Sequence, residues 1–345
     1  MITSFYAMFH AMRHVGALVA LLIVLLFYTA VPADVRAAES KALAFLEVQR
    51  GLCAVLGADE AQSAGRGKPG FVAAILNDKK ALFGVVVLGI FFAAALFAPL
   101  VAPYDPNAMD FDMMLAPSAQ FVLGTDDLGR DLFTRILYGT RTSLLVGVST
   151  VALSLVVGVA LGVAAGYFGG WIDTIIMRYI DLQWAFPNFI VAVYLVAVFG
   201  AGLLNVIIAI ALAFVDDFAR ITRGMVLTIK EEQYVAAARV SGASDFRIMW
   251  RHILPNAMAP IIVQATVSVS YAILGEASLS FLGLGVEADT PTWGLILADA
   301  RSFISRAWWL GVFPGVAIML TVLSINFLGD ALRDYLDVRE TQGLW

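Results

Sequence analysis

The sequence predicts an all-α polytopic membrane protein, and three observations predict it. Of its 345 residues 61% are hydrophobic and 14% charged, with a mean hydropathy of +0.85, whereas soluble domains hold about 45–50% apolar residues. Apolar runs of the length a helix needs to cross a bilayer recur along the chain. The charges between the runs sort by side, basic clusters alternating with an acidic segment, as the positive-inside rule requires. The rest of the composition narrows the chemistry. A net charge of −5, with no basic, aromatic-interleaved surface, argues against a nucleic-acid partner. Single Cys53 excludes an intrachain disulfide framework. His10, His14 and His252 lie far apart with no cysteine cluster, so no metal site is expected.

In chain order, Val15 to Val31 has the length of a membrane helix or of a signal peptide. Arg66, Lys68, Lys79 and Lys80 precede the next apolar run and place the intervening stretch inside, so an uncleaved helix with its N-terminus outside fits better than cleavage. A start codon assigned too early is the third reading. Residues 35 to 70 read as a linker with one short amphipathic piece, Ala42 to Leu56. Ala81 to Val101 is the next span, ended outside by the turn Ala102 to Pro106. Tyr104 to Arg141 is acidic on balance and belongs outside. Leu132, Ile136 and Leu137 there suggest an amphipathic helix on the membrane interface. Ser143 to Gly166 spans next. Its Gly158, Gly162 and Gly166 form a flat stripe that a second helix could approach closely, although glycine is frequent in membrane helices anyway.

Ile172 to Phe199 reads as one span carrying Arg178, Asp181 and Pro187; the two charges, three apart, can pair on one face. Leu204 to Leu227 returns inward with Asp216, Asp217, Arg220 and Arg223. An ionisable group at that depth costs roughly 2.5–3.5 kcal/mol, so Asp216 should face a cavity or a partner charge. Two readings stand side by side: an i to i+4 pair with Arg220, or carboxylates lining a path for a cationic group. Ala257 to Phe281 runs outward with Glu276 near its outer end. A Gly-rich turn and an outer loop, Val286 to Arg306, follow, then Trp308 and Trp309 at the interface and a last span, Trp309 to Leu328, before a short tail.

Between these spans lies a polar, basic stretch, Lys230 to Asn256. Glu231 to Val240 is alanine-rich and helical, Gly242 supplies the left-handed turn, and Ser244 caps a second helix through Arg251, with Pro255 opening the next element. Spacing alone permits an ordinary cytoplasmic loop or a docking corner whose small residues admit another protein's groove.

The run Ala236-Ala237-Ala238, three residues, Gly242, nine residues, then His252-Ile253-Leu254-Pro255 resembles the EAA loop of ABC importer permeases; Ala236 stands where Glu is usual and His252 where Ile is usual. Leu123 to Asp131 is similar to a signature of peptide and nickel permeases, and Glu276 to Gly285 to the outer-gate sequence of the family. The resemblance runs from Leu76 nearly to Arg339 and is to the second permease of dipeptide, oligopeptide or nickel operons. It implies a six-helix type I permease core with an extra N-terminal hydrophobic helix. The implied divisions are residues 1–70 as extension, 71–140 as first permease helix and outer segment, 141–330 as permease domain and 331–345 as cytoplasmic tail. The coupling residues would be Ala236, Ala237, Ala238, Gly242, Ser244, Arg247, Leu254 and Pro255. The translocation path would include Arg178, Asp181, Asp216, Asp217 and Glu276.

The implied partners are a sister permease, two ATP-binding subunits carrying ATP and Mg, a periplasmic or extracellular binding protein, and membrane lipid of the bacterial inner membrane. No phosphate-cradling loop exists in this chain, since Gly67-Lys68 is followed by Pro69, so no cofactor of its own and no enzymatic activity are expected. A proton-coupled secondary transporter using the membrane carboxylates is the alternative; it explains those residues and not the corner.

Overall fold

The computed structural model describes residues 71–340. The helix expected near residues 15–31, the linker to residue 70 and residues 341–345 lie outside the described residues. The described chain forms two compact units. The smaller takes α1 (Phe71–Asn77), the start of α2 (Lys79–Val101) and the end of α12 (Trp309–Glu340); in it Phe71 and Tyr335 meet edge-on, 5.2 Å between ring centres. The larger, Gly84–Arg333, holds everything discussed below.

Its elements are α3 (Leu132–Phe168), α4 (Gly170–Trp184), α5 (Asn188–Phe199), α6 (Leu203–Ala213), α7 (Val215–Ile229), α8 (Gln233–Val240), α9 (Asp245–Ile248), a π-helical turn (Met249–Ile253), α10 (Leu254–Phe281), α11 (Trp293–Ala300) and most of α12. Among the described residues, four stretches are long and apolar enough to cross a membrane: α2, α3, Asp245–Phe281 and Trp309–Leu336. A fifth crossing arises if α4 and α5 are taken as one broken span. The remaining expected crossing is α6 with α7.

Four expectations need correction. The interfacial helix at Leu132 and the span from Ser143 are one 37-residue helix, α3, about 55 Å long at 1.5 Å per residue. The polar patch between them is helical too, and there Thr140 and Thr142 donate their hydroxyls to the Ile136 and Tyr138 carbonyls four residues back, which leaves neither hydroxyl unpaired. The span Ile172 to Phe199 is broken, α4 and α5 being bent by 92° at Ala185 to Pro187, where Pro187 has no N–H to give and disfavours helix in the residue before it. The span from Leu204 breaks at Phe214. The Leu212 carbonyl accepts from Gln183 Nε2 of α4 at 2.8 Å, which spares a cost of several kcal/mol for an unpaired backbone group in a membrane. The second helix of the polar corner does not stop before Pro255. It widens into the π-helical turn, Leu254 N–H bonding to Met249 O, and continues as α10.

Glycines set the closest helix contact. Gly158, Gly162 and Gly166 of α3 lie on α7, where a Cβ at Gly162 would stand 2.5 Å from Ala219 O and 2.7 Å from Thr222 Cβ. The start of α3 is fixed by Asp131, whose carboxylate accepts from Thr134 N–H at 2.8 Å. Asp131→Ala is expected to cost about 1 kcal/mol, read as a lower thermal midpoint of the solubilised chain; an unchanged midpoint would mean that Thr134 N–H is satisfied otherwise.

Candidate functional site

The polar corner is built by α8, its turn and α9. Gly242 has φ +80°, and the helix end closes through Ala243 N–H to Ala238 O (3.1 Å) and Gly242 N–H to Arg239 O (3.0 Å), bonds that need a residue at ease in the left-handed region. Ser244 accepts from Arg247 N–H at 3.4 Å and starts α9 as expected. The underside is apolar, with Val235, Ile248 and Ile253 fully buried. The upper side presents Ala236, Ala237, Gly242, Ser244 and Arg247 to the exterior, and no atom lies within 4 Å of a Cβ placed on Gly242. Leu254 is half-buried and Pro255 buried, so both form the base of the corner and not its surface.

Three exposed apolar residues join the surface. Val240 is 90% exposed, and the Phe246 and Trp250 rings lie parallel with centres 6.5 Å apart, 72% and 66% exposed. Sequence reading passed over them because apolar residues on a short helix suggest burial. The spacing of four between Phe246 and Trp250, set beside Arg247 and Arg251, was the available signal for an outward face.

Above the corner the charged groups pair across helices and not along them. Arg220 of α7 donates to Asp181 of α4 at 3.2 Å, and its guanidinium carbon lies 4.2 Å from the centre of the Trp184 ring. Arg223 holds Asp173 with two hydrogen bonds, 2.5 and 2.7 Å. Of the two readings of Asp216, the pair with Arg220 does not form, and neither does the possible pair of Arg178 with Asp181, which bonds to Arg220. Asp216 sits fully buried at the start of α7 and makes no hydrogen bond to another side chain, with half-buried Asp217 beside it and exposed Arg178 on α4. Asp181 and Arg220 are brought together, while the Asp216 carboxylate makes no hydrogen bond to either and Glu276 bonds to Ser280 and Thr292.

At the outer end, Glu276 of α10 is fully buried. Its Oε1 accepts from Ser280 Oγ (2.7 Å) and Thr292 Oγ1 (2.8 Å), and Thr292 in turn caps α11 by accepting from Leu295 N–H (3.0 Å). Gly294 fits where a Cβ would overlap Ala277. Glu276 thus ties the gate sequence to α11, a helix the sequence hid inside a loop. Beside it, Arg130 and Arg135 share Asp126 and Asp299, with Arg135 Nε 3.6 Å from Asp126 and Nη2 3.8 Å from Asp299. Burial pushes the Asp299 carboxyl above the ordinary carboxylate range, against the opposing pull of Arg135; burial and the neighbouring Asp126 charge do the same to Asp127. Among the described residues, no group of three His, Cys, Asp or Glu side chains could hold a metal ion.

Residues 158–342 match the model of the family described as binding-protein-dependent transport system inner membrane component, and residues 72–117 match the N-terminal TM domain of oligopeptide transport permease C. The chain is 48% identical over 268 residues to a di/tripeptide transport system permease protein of Pseudomonas aeruginosa, covering 76% of this chain and 88% of that one. It is 44% identical over 256 residues to a glutathione transport system permease protein of Pectobacterium atrosepticum, covering 74% and 85%. Among solved structures, a chain of the inward-facing methionine ABC transporter superposes with a TM-score of 0.46 at 18% identity, over 57% of this chain and 94% of that one.

Proposed function

Because the chain belongs to the family of binding-protein-dependent transport system inner membrane components, we propose that it moves short peptides or similar small solutes, paired with a sister permease and driven by separate ATP-binding subunits. It is the transmembrane permease subunit of an ABC importer, a multi-pass protein of the bacterial inner membrane. Its role is transport. The relatives are named for permease systems of this kind, which leaves the proton-driven alternative without support.

The observation that carries the mechanism is the corner at Ala236, Ala237 and Gly242: small residues on an exposed surface, flanked by Arg247 and by the Phe246–Trp250 pair, over a buried apolar underside. The small residues let a groove on an ATP-binding subunit reach the backbone, and the aromatic pair supplies area to bury. ATP with Mg would sit on those subunits and not on this chain. A binding protein delivers solute on the outer side, and alternating access follows because docking can drive the cycle only if the docked corner differs in energy between inward- and outward-open forms. The peptide class rests on the names of the relatives. Arg178, Asp181, Asp216 and Asp217 are proposed to line the path, and Glu276 to hold the outer gate.

Ala237→Arg tests the docking. Ala237 is exposed on α8, and arginine there is helix-compatible, so the chain should still fold and keep its sister permease. The expected result is loss of the ATP-binding subunits from the purified complex. Undiminished recovery of those subunits would remove the corner as their docking site, and a wild-type complex that never contains them would remove the ATP-driven mechanism.

A further inference from the structure

The corner has two routes to the outer end of the molecule, and they differ in build. One is α10. It is entered through the π-helical turn Met249–Ile253 and carries Pro255 and Pro260, neither of which has an N–H for the helix ladder. The His252 carbonyl there accepts from the Asn256 side chain at 2.6 Å. Departures from regular hydrogen bonding of this kind mark points where a helix bends.

The other route is α3. It is helical without a break from Leu132 to Phe168, contains no proline, and is seated along α7 by Gly158, Gly162 and Gly166. Near its outer end Ser143 Oγ accepts from Trp293 N–H of α11 at 3.2 Å, and a Cβ on Gly139 would lie 3.3 Å from the Trp293 indole. At its inner end Lys230 Nζ donates to the Gly166 carbonyl at 3.1 Å. One residue further, Tyr167 donates its hydroxyl to Asp245 Oδ1 of α9 at 2.6 Å, while its ring packs against the apolar cluster that contains Val235, Ile248 and Ile253. One stiff helix thus touches the docking corner at its foot and α11 near its head.

We propose that the Tyr167–Asp245 hydrogen bond is the joint that delivers movement of the docking corner to α3, and through α3 to Trp293 and α11 at the outer end. The proposal rests on the docking reading given above. Tyr167 is a positioning residue; it touches neither solute nor nucleotide. A stiff strut transmits displacement at its foot with little loss, whereas α10 can absorb displacement at its irregular base. Interfaces with two discrete packings, and not elastic bending, then convert that displacement into a gate position.

The test uses the complete transporter in proteoliposomes and reports the outer end without reference to the solute carried. Leu282 is 55% exposed and lines the same apolar cleft as Leu297 of α11. Leu282→Cys, placed in a background where Cys53, the single cysteine of the chain, is replaced by serine, gives a maleimide target whose labelling rate should change when ATP and vanadate are added. Tyr167→Phe keeps the ring and removes the hydroxyl. The expected result is that the variant retains its ATP-binding subunits and hydrolyses ATP, while the ATP-dependent change in labelling rate shrinks about fivefold, the low end of typical couplings between sites. Asp245→Ala should do the same, and the double variant should be no worse than either single one. A merely structural role would lower yield or thermal midpoint and leave the labelling change per ATP hydrolysed intact. The proposal fails if Tyr167→Phe labels as the parent does, if the two substitutions add independently, if the parent shows no ATP-dependent change, or if Tyr167→Phe sheds the ATP-binding subunits. Retention of those subunits by Ala237→Arg would instead overturn the docking reading itself, so the two failures are told apart.

Discussion

Gly162→Leu is expected to lift α3 off α7 and leave little folded protein in the membrane. The Cβ alone would stand 2.5 Å from the Ala219 carbonyl oxygen and 2.7 Å from Thr222 Cβ, and beside it Gly158 and Gly166 are held as closely by Phe218, Val215 and Val226. A backbone carbonyl in a regular helix cannot turn aside, so the helices must separate along the whole stripe. Overpacking of this kind costs about 1–3 kcal/mol and sometimes more. Here it also opens the site where Lys230 meets the Gly166 carbonyl. Gly224→Leu is the control, because that glycine, on α7, has no atom within 4 Å of a built Cβ, and leucine is the better helix former. The comparison is the fraction of solubilised chain that survives gel filtration, with the thermal midpoint of what remains. Equal behaviour of the two variants would mean that the α3–α7 contact does not support the fold.

The stripe was visible in the sequence as three glycines four apart, but its partner was not, since nothing in residues 158–166 says which helix lies opposite. The corner was the most readable part. Gly242 sits where a left-handed residue is needed and Ser244 where a cap is needed, both local requirements met by local residues. What escaped was decided between helices. The break at Phe214 carries no proline or glycine of its own and is sustained by Gln183 from α4. Arg220 had an acceptor four residues away in Asp216 and bonds instead to Asp181, thirty-nine residues earlier. Thr140 and Thr142 fall between the expected interfacial helix and the span from Ser143, and their hydroxyls turn back on the one helix that carries them. Helix periodicity reports faces, and a face does not name its partner. The same limit concealed Tyr167, whose hydroxyl reaches Asp245 of α9, seventy-eight residues on.

Trp293→Ala should have an effect at least as large, and near the outer end of α3. Trp293 is fully buried; its backbone N–H donates to Ser143 Oγ, its indole N–H to the Ile136 carbonyl at 3.4 Å, and its ring meets Phe91 edge-on with centres 5.5 Å apart. Truncating a buried tryptophan typically costs about 3–5 kcal/mol, as lost transfer energy and as a cavity that packed helices do not refill. The location makes the loss functional as well as structural. α11 is held from one side by Glu276 through Thr292 and from the other by α3 through Trp293. With the indole gone, α11 keeps its tie to α10 and, toward α3, only the Trp293 N–H bond to Ser143 and the Asp299–Arg135 contact, so the outer end should respond less to whatever α3 delivers. Trp293→Phe separates the two consequences, because phenylalanine preserves most of the apolar contact and forfeits only a long hydrogen bond, for which a loss of about 1 kcal/mol is expected. The measurements are the thermal midpoint and the ATP-dependent labelling change at Leu282→Cys. A midpoint in Trp293→Ala no lower than in Trp293→Phe would show that the indole does not anchor α11 on α3.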